Sequence, residues 1–179
     1  MKGVSGNEYA KQSNSDKYNI IPYAQLDCQG FVEQVLKDCG VRKPDGTVYN
    51  WKGSNSMWRN ALLWKGTIKE CEAVYGHIPL GAWLFIVKHD GGEVARGYHD
   101  DEGNATHVAI LSKEPSECRD CVRDSTRSSK RDGVGYRTLD SFTHVGLPYM
   151  IDYFDDPQTV TKEKVLEALE ILTKFVKEC

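Results

Sequence analysis

The sequence has 179 residues, and its longest apolar run is Pro79–Val87. That is far short of the ~18 residues a membrane span requires. The first residues, Met-Lys-Gly-Val-Ser-Gly-Asn-Glu-Tyr, carry no apolar h-region, so the expectation is cytoplasmic synthesis without a secretory signal. There is no repeat at a solenoid period and no low-complexity tract. Charge of one sign is scarce too: the net charge of −3 gives no general attraction to nucleic acid or to an anionic membrane. Arg119, Arg123, Arg127, Lys130 and Arg131 alternate with Glu117, Asp120, Asp124 and Asp132, which reads as a solvated strand-and-loop surface. Only six cysteines occur, at irregular spacings, in a chain large enough to build its own core; free thiols are expected. Cys118-x-x-Cys121 has no second pair and no histidines at zinc-finger spacing.

What is present is one domain's worth of apolar residue, 40% of the chain, patterned in two periods. Phe31, Val32, Val35, Leu36 and Cys39 recur at helical spacing, predicting a helix over 29–39 with Asp27 as N-cap and Gly40 as stop. Val41–Gly76 is mixed, with a turn at Lys43–Gly46 and a short helix from Ser54 or Asn55 through Trp64. Trp51, Trp58 and Trp64 are expected in the core. Ala82–Val87 reads as a buried strand, His89–Asn104 as a long exposed loop, and 107–111, 121–124 and 134–139 as strands joined by turns. Strands this close, with no helix between them, predict an antiparallel meander. Val165, Leu169, Leu172 and Val176 mark an amphipathic C-terminal helix over 162–177. The chain thus divides into a domain over 1–155 and a helical tail over 156–179.

The sharpest chemical feature is Asp27-Cys28-Gln29-Gly30-Phe31-Val32. A thiol in the first turn of a helix meets unpaired N–H groups and a dipole that favour an anion, and cysteines so placed become nucleophiles. The same residue type is often just a small buried hydrophobe. A thiolate nucleophile needs a proton shuttle, and five histidines are available. His89 and His99 fall in the polar loop, and His77 precedes Ile78-Pro79. His107 and His144 head similar tetrapeptides, His-Val-Ala-Ile and His-Val-Gly-Leu. His107 opens a clean strand, whereas His144 runs into Pro148, so His107 ranks first.

Asp27–Val32, then Pro79-Leu80-Gly81-Ala82-Trp83-Leu84-Phe85, then His107-Val108-Ala109-Ile110 resemble, in that order, the NlpC-type papain-like cysteine peptidases of the cell wall. The resemblance spans about 8–153; the 51–64 segment and the 91–104 loop look similar to versions in prophage lysis and tail proteins. It implies an α+β, papain-like fold with the nucleophile helix packed on an antiparallel sheet. It further implies attack by Cys28 on an amide of the peptidoglycan stem peptide, typically between D-glutamate and the diamino acid, without cofactor or metal. His107 would be base and then acid. The family orients its base with a polar residue on the following strand; Asp124 stands at that position, with Asp120 and Asp140 as rivals. Tyr23, Asp27 and Gln29 would lie at the substrate. The wall would be reached after lysis or on a phage particle. Gln29 stands where the family commonly has Ser, and Ala82 where it has Asp.

Other classes compete. Thioester or amide transfer shares the acyl-enzyme. A non-catalytic wall-binding or assembly module could use the same fold. A metal hydrolase could be built from His99, Asp100, Asp101 and His107, although these lack a tight ligand spacing.

Overall fold

The computed structural model describes residues 3–153. In chain order the elements are β1 (Val4–Ser5), α1 (Gly6–Ser13), α2 (Cys28–Asp38), α3 (Ser54–Asn60), β2 (Leu62–Thr67), α4 (Ile68–Tyr75), β3 (Trp83–Lys88), α5 (Gly92–Ala95), β4 (Asn104–Leu111), β5 (Val122–Arg127), β6 (Asp132–Arg137), β7 (His144–Pro148) and β8 (Ile151–Asp152). Six strands make one antiparallel sheet in the order β2-β7-β3-β4-β5-β6; β1 and β8 form a separate parallel pair. The architecture is mixed α+β. The expected tail helix over 162–177, and with it the 156–179 division, lies outside the described residues.

The meander is present as β3-β4-β5-β6, but β7 returns to lie on the other side of β3 and brings β2 with it. The sequence expectation that Pro148 cuts this strand short holds only toward β3. That strand pairs with His144–Gly146 alone, while β2 pairs onward as far as Pro148.

Helix α2 forms where its pattern predicts. The Asp27 carboxylate accepts from the Gly30 N–H at 2.7 Å, satisfying one of the donors that every helix start leaves open. The N–H of Val41 closes the other end on the Leu36 carbonyl at 3.0 Å. Phe31, Val32, Val35 and Leu36 are buried where α2 lies against β4 and β5. Each contributes roughly 1.5–3 kcal/mol through burial.

The structure corrects and adds to the sequence expectations. The short helix ends at Asn60, and Leu62 and Trp64 belong to β2 instead, because Leu62–Thr67 finds β7 as a hydrogen-bonding partner. Helices α1 and α4 were not expected; both begin with a capping box, Ser5 with Glu8 and Thr67 with Glu70. The 89–104 segment is not simply exposed: it carries α5, buries Glu93, and is tied down by ion pairs from Arg59 to Asp100 and from Lys65 to Glu102. Of the tryptophans, Trp58 is in the core, while Trp51 and Trp64 are partly buried against it.

The Pro79-Leu80-Gly81 turn is a point of close backbone approach. Gly81 adopts φ +81°, and a Cβ there would stand 2.5 Å from the Gly6 carbonyl oxygen. A side chain on Gly6 would in turn strike the Leu80 carbonyl. Two glycines therefore let the start of α1 lock onto the lead-in of β3.

Candidate active site

Cys28 is the first residue of α2 and is partly buried. Its position is fixed from two directions. The Asp27 cap sets the start of the helix, and Ser125 Oγ on β5 donates to the carbonyl of Leu26, two residues before the cysteine.

His107 lies on β4, where the ladder is interrupted. Ile86 pairs with His107 and Val87 with Ala105, leaving Thr106 as an unpaired bulge residue. Ile86 and Val87 are neighbours on β3, so their partners Ala105 and His107 face opposite sides although they are two residues apart. A regular strand would place them on the same side. The bulge thus sends Ala105 into the core and turns His107 toward α2, the re-aiming that bulges commonly perform beside sites.

The imidazole lies between Cys28 and Asp124. Its Nε2 donates to Asp124 Oδ2 at 2.7 Å, and the Cys28 sulfur is near enough to act on the ring both as hydrogen-bonding partner and as charge. With Nε2 committed, Nδ1 is the nitrogen left for the sulfur. Burial alone would lower the imidazole; Asp124 and Cys28 override it and lift His107 from 6.5 to about 9. Phe142 stacks over the ring, with centroids 6.1 Å apart and planes at 26°.

Asp124 is fully buried on β5. Burial pushes its carboxyl up, but His107, Arg131 and Arg137 outweigh that and hold it below its ordinary 3.8. Arg131 Nη2 donates to Oδ1, and Arg137 Nη1 donates to Oδ2 at 3.2 Å. Its rival Asp140 is engaged by the Thr138 hydroxyl. His144, the rival histidine, sits on β7 with its ring 5.4 Å from Trp58; burial, then His89, lowers its titration.

Of the expected substrate residues, Tyr23 is beside the sulfur. Burial raises its phenol, with Cys28 and Asp27 adding to the effect. Asp27 is occupied as the helix cap. Gln29 is turned into the framework: its amide nitrogen donates to Glu33 at 2.7 Å and to the Trp51 carbonyl, and its oxygen accepts from the Gly53 N–H at 2.5 Å. It props the 51–53 loop against α2. The alternative metal ligands do not converge, since Asp100 is held by Arg59 and His107 by Asp124.

Sequence reasoning missed Arg131, Arg137 and Phe142. It also placed Arg123 and Arg131 on a solvated surface. Arg123 is instead buried, bonded to the Ser13 carbonyl at 3.2 Å and to Asn19 at 2.9 Å, and Arg131 is bound to the buried carboxylate. The available signal was a buried acid on β5 with arginines along the next hairpin.

A cavity of about 930 Å³ lies toward the other end of α2, lined by Val41, Arg42, Tyr49, Trp51 and Tyr149 among others. No cysteine or histidine lines it. Three of the other described thiols are less suited to attack: burial pushes Cys39 up to about 11 and Cys71 to about 12, and raises Cys121 as well. No described helix is long and apolar enough to cross a membrane. No family model, curated protein or solved structure matches this chain.

Proposed function

We propose that the chain is a papain-like cysteine peptidase of the NlpC type that hydrolyses an amide in peptidoglycan stem peptides, between D-glutamate and the diamino acid. One observation carries this reading. A cysteine at a helix start, a histidine on a sheet strand and a carboxylate on the next strand converge at one point, in that chain order.

The chemistry follows from the geometry. With His107 lifted to about 9, the imidazole holds a proton at neutral pH, and the sulfur beside it at the helix start is the nucleophile. The sulfur adds to the amide carbonyl, and the resulting oxyanion faces the Cys28 N–H, a donor that the first turn of a helix leaves without an internal partner. His107 gives its proton to the departing amine as the C–N bond breaks, and an acyl thioester remains. Water then attacks the thioester carbonyl, passing a proton to His107, and the thiolate leaves. Throughout, Asp124 accepts from Nε2, fixing the tautomer and stabilising the imidazolium.

The test is digestion of purified cell walls by the full chain and by Cys28→Ala, with the released muropeptides read by mass spectrometry. Cleavage at the stem peptide by the wild type and none by the variant is expected. Equal release by both would overturn the reading. Binding to walls without cleavage by either protein would favour the non-catalytic module.

A further inference from the structure

The hairpin joining β5 and β6 is built to deliver one side chain. The Ser128 N–H donates to the Arg131 carbonyl at 2.7 Å, and Ser128 Oγ accepts from the N–H of Lys130 and of Arg131. The turn returns Arg131 over the sheet, where Nη1 donates to the Tyr136 carbonyl at 3.1 Å and Nη2 reaches Asp124 Oδ1. The guanidinium lies across Gly135, the residue paired with Asp124. A Cβ there would collide with Nη1 of Arg131 and stand 2.6 Å from its Cδ. Nε of Arg131 is buried without a partner among the described residues, a cost that proteins carry at sites more readily than in frameworks.

The carboxylate is therefore divided. Oδ2 serves His107 and Arg137, and Oδ1 serves Arg131. The charged and titratable groups around it are Cys28 from α2, Arg123 beside it on β5, Arg131 from the turn and Arg137 from β6, with Tyr23 next to the sulfur. Without Arg131, Oδ1 would be a buried anionic oxygen with no described donor, and the carboxyl would protonate or rotate. Either change spoils its acceptance from Nε2. Resting on the catalytic reading above, we propose that Arg131 is a positioning residue, seated by Gly135, which holds Asp124 as a fixed acceptor and so keeps the proton of the Cys28–His107 pair on the imidazole.

The experiment reads that proton without any substrate. Iodoacetamide alkylation of Cys28 in the full chain is followed by peptide mass spectrometry, and its rate at pH 6.5 is divided by its rate at pH 10. In the wild type the two rates are comparable. In Arg131→Ala the ratio falls about tenfold for each pH unit lost from the range over which the imidazole keeps its proton, while the rate at pH 10 is unchanged. Gly135→Ala retains the arginine but evicts it, and gives the same fall. Arg131→Lys, which keeps the charge but loses the two-nitrogen fork that bonds Oδ1 and the Tyr136 carbonyl separately, recovers part of the ratio. Circular dichroism confirms folding of each variant, and Gly135→Ala carries the test if Arg131→Ala does not fold. Wild-type ratios in the folded variants overturn the proposal. A wild-type ratio far below one instead sinks the ion-pair reading beneath it, before any variant is compared.

Discussion

The lift of His107 from 6.5 to about 9 makes the stability of the protein depend on pH in a window set by that residue. Below 6.5 the imidazole is protonated whether the chain is folded or not, and the stabilisation is fully present. Between 6.5 and 9 the unfolded chain releases the proton while the folded chain keeps it, so stability falls as pH rises. Above about 9 the contribution is gone. The full lift is worth about 3 kcal/mol, and with only 13% of the side chain exposed little of that is lost to solvent screening. Urea unfolding of the wild type and of His107→Gln, under reducing conditions at several values between pH 6 and 10, isolates the effect. The substituted amide still donates to Asp124 but does not titrate. The stability gap between the two proteins should shrink by about 3 kcal/mol across that range. Cys28→Ser should show a smaller drop, because only the Asp124 share of the lift remains. Parallel curves for the wild type and His107→Gln would refute the assignment of a paired, protonated imidazole.

Two further outcomes follow from the same contacts. Asp124→Ala removes the counter-charge from Arg131 and Arg137, whose side chains are 22% and 30% exposed, and should cost about 3 kcal/mol in chemical denaturation; a cost below 1 kcal/mol would mean the guanidinium groups rehydrate freely. Asp27→Ala should cost about 1 kcal/mol through loss of the cap on α2, whereas Asp27→Asn should cost little and leave wall digestion intact. A loss of cleavage in Asp27→Asn with unchanged stability would move that carboxylate from the framework to the substrate.

What the sequence made legible was whatever depends on short range. The apolar period of 29–39 and the Asp27 cap placed α2 to within a residue of its observed bounds, because capping and burial along one helix need no knowledge of the rest of the chain. The apolar run 107–111 placed most of β4 for the same reason, although the strand begins at Asn104. The early helices α1 and α4 were passed over because they are short and mostly polar outside; their capping boxes, Ser5 with Glu8 and Thr67 with Glu70, were the signal that remained. Leu62 and Trp64 were given to a helix because their spacing suits one; what makes them strand is β7, which arrives from the far end of the domain.

The candidate site divides along the same line. Cys28, His107 and Asp124 could be named because each sits at a recognisable place in its own element. The arginines could not, because their meaning is set by what lies across the hairpin. Alternating charges on 117–132 describe a solvated ribbon equally well, and only pairing of Asp124 with Gly135 removes the side chain that would otherwise keep Arg131 away. Gln29 shows the reverse case. Its place beside Cys28 suggested contact with substrate, while its amide is bonded to Glu33, Trp51 and Gly53. A residue adjacent in sequence to Cys28 lies around the helix from it, where it meets the scaffold. The residues that shape the imidazole's proton come from a turn about a hundred positions away. A variant library restricted to neighbours of Cys28 would therefore report mainly on stability, and one drawn from the β5–β6 hairpin on the proton of His107.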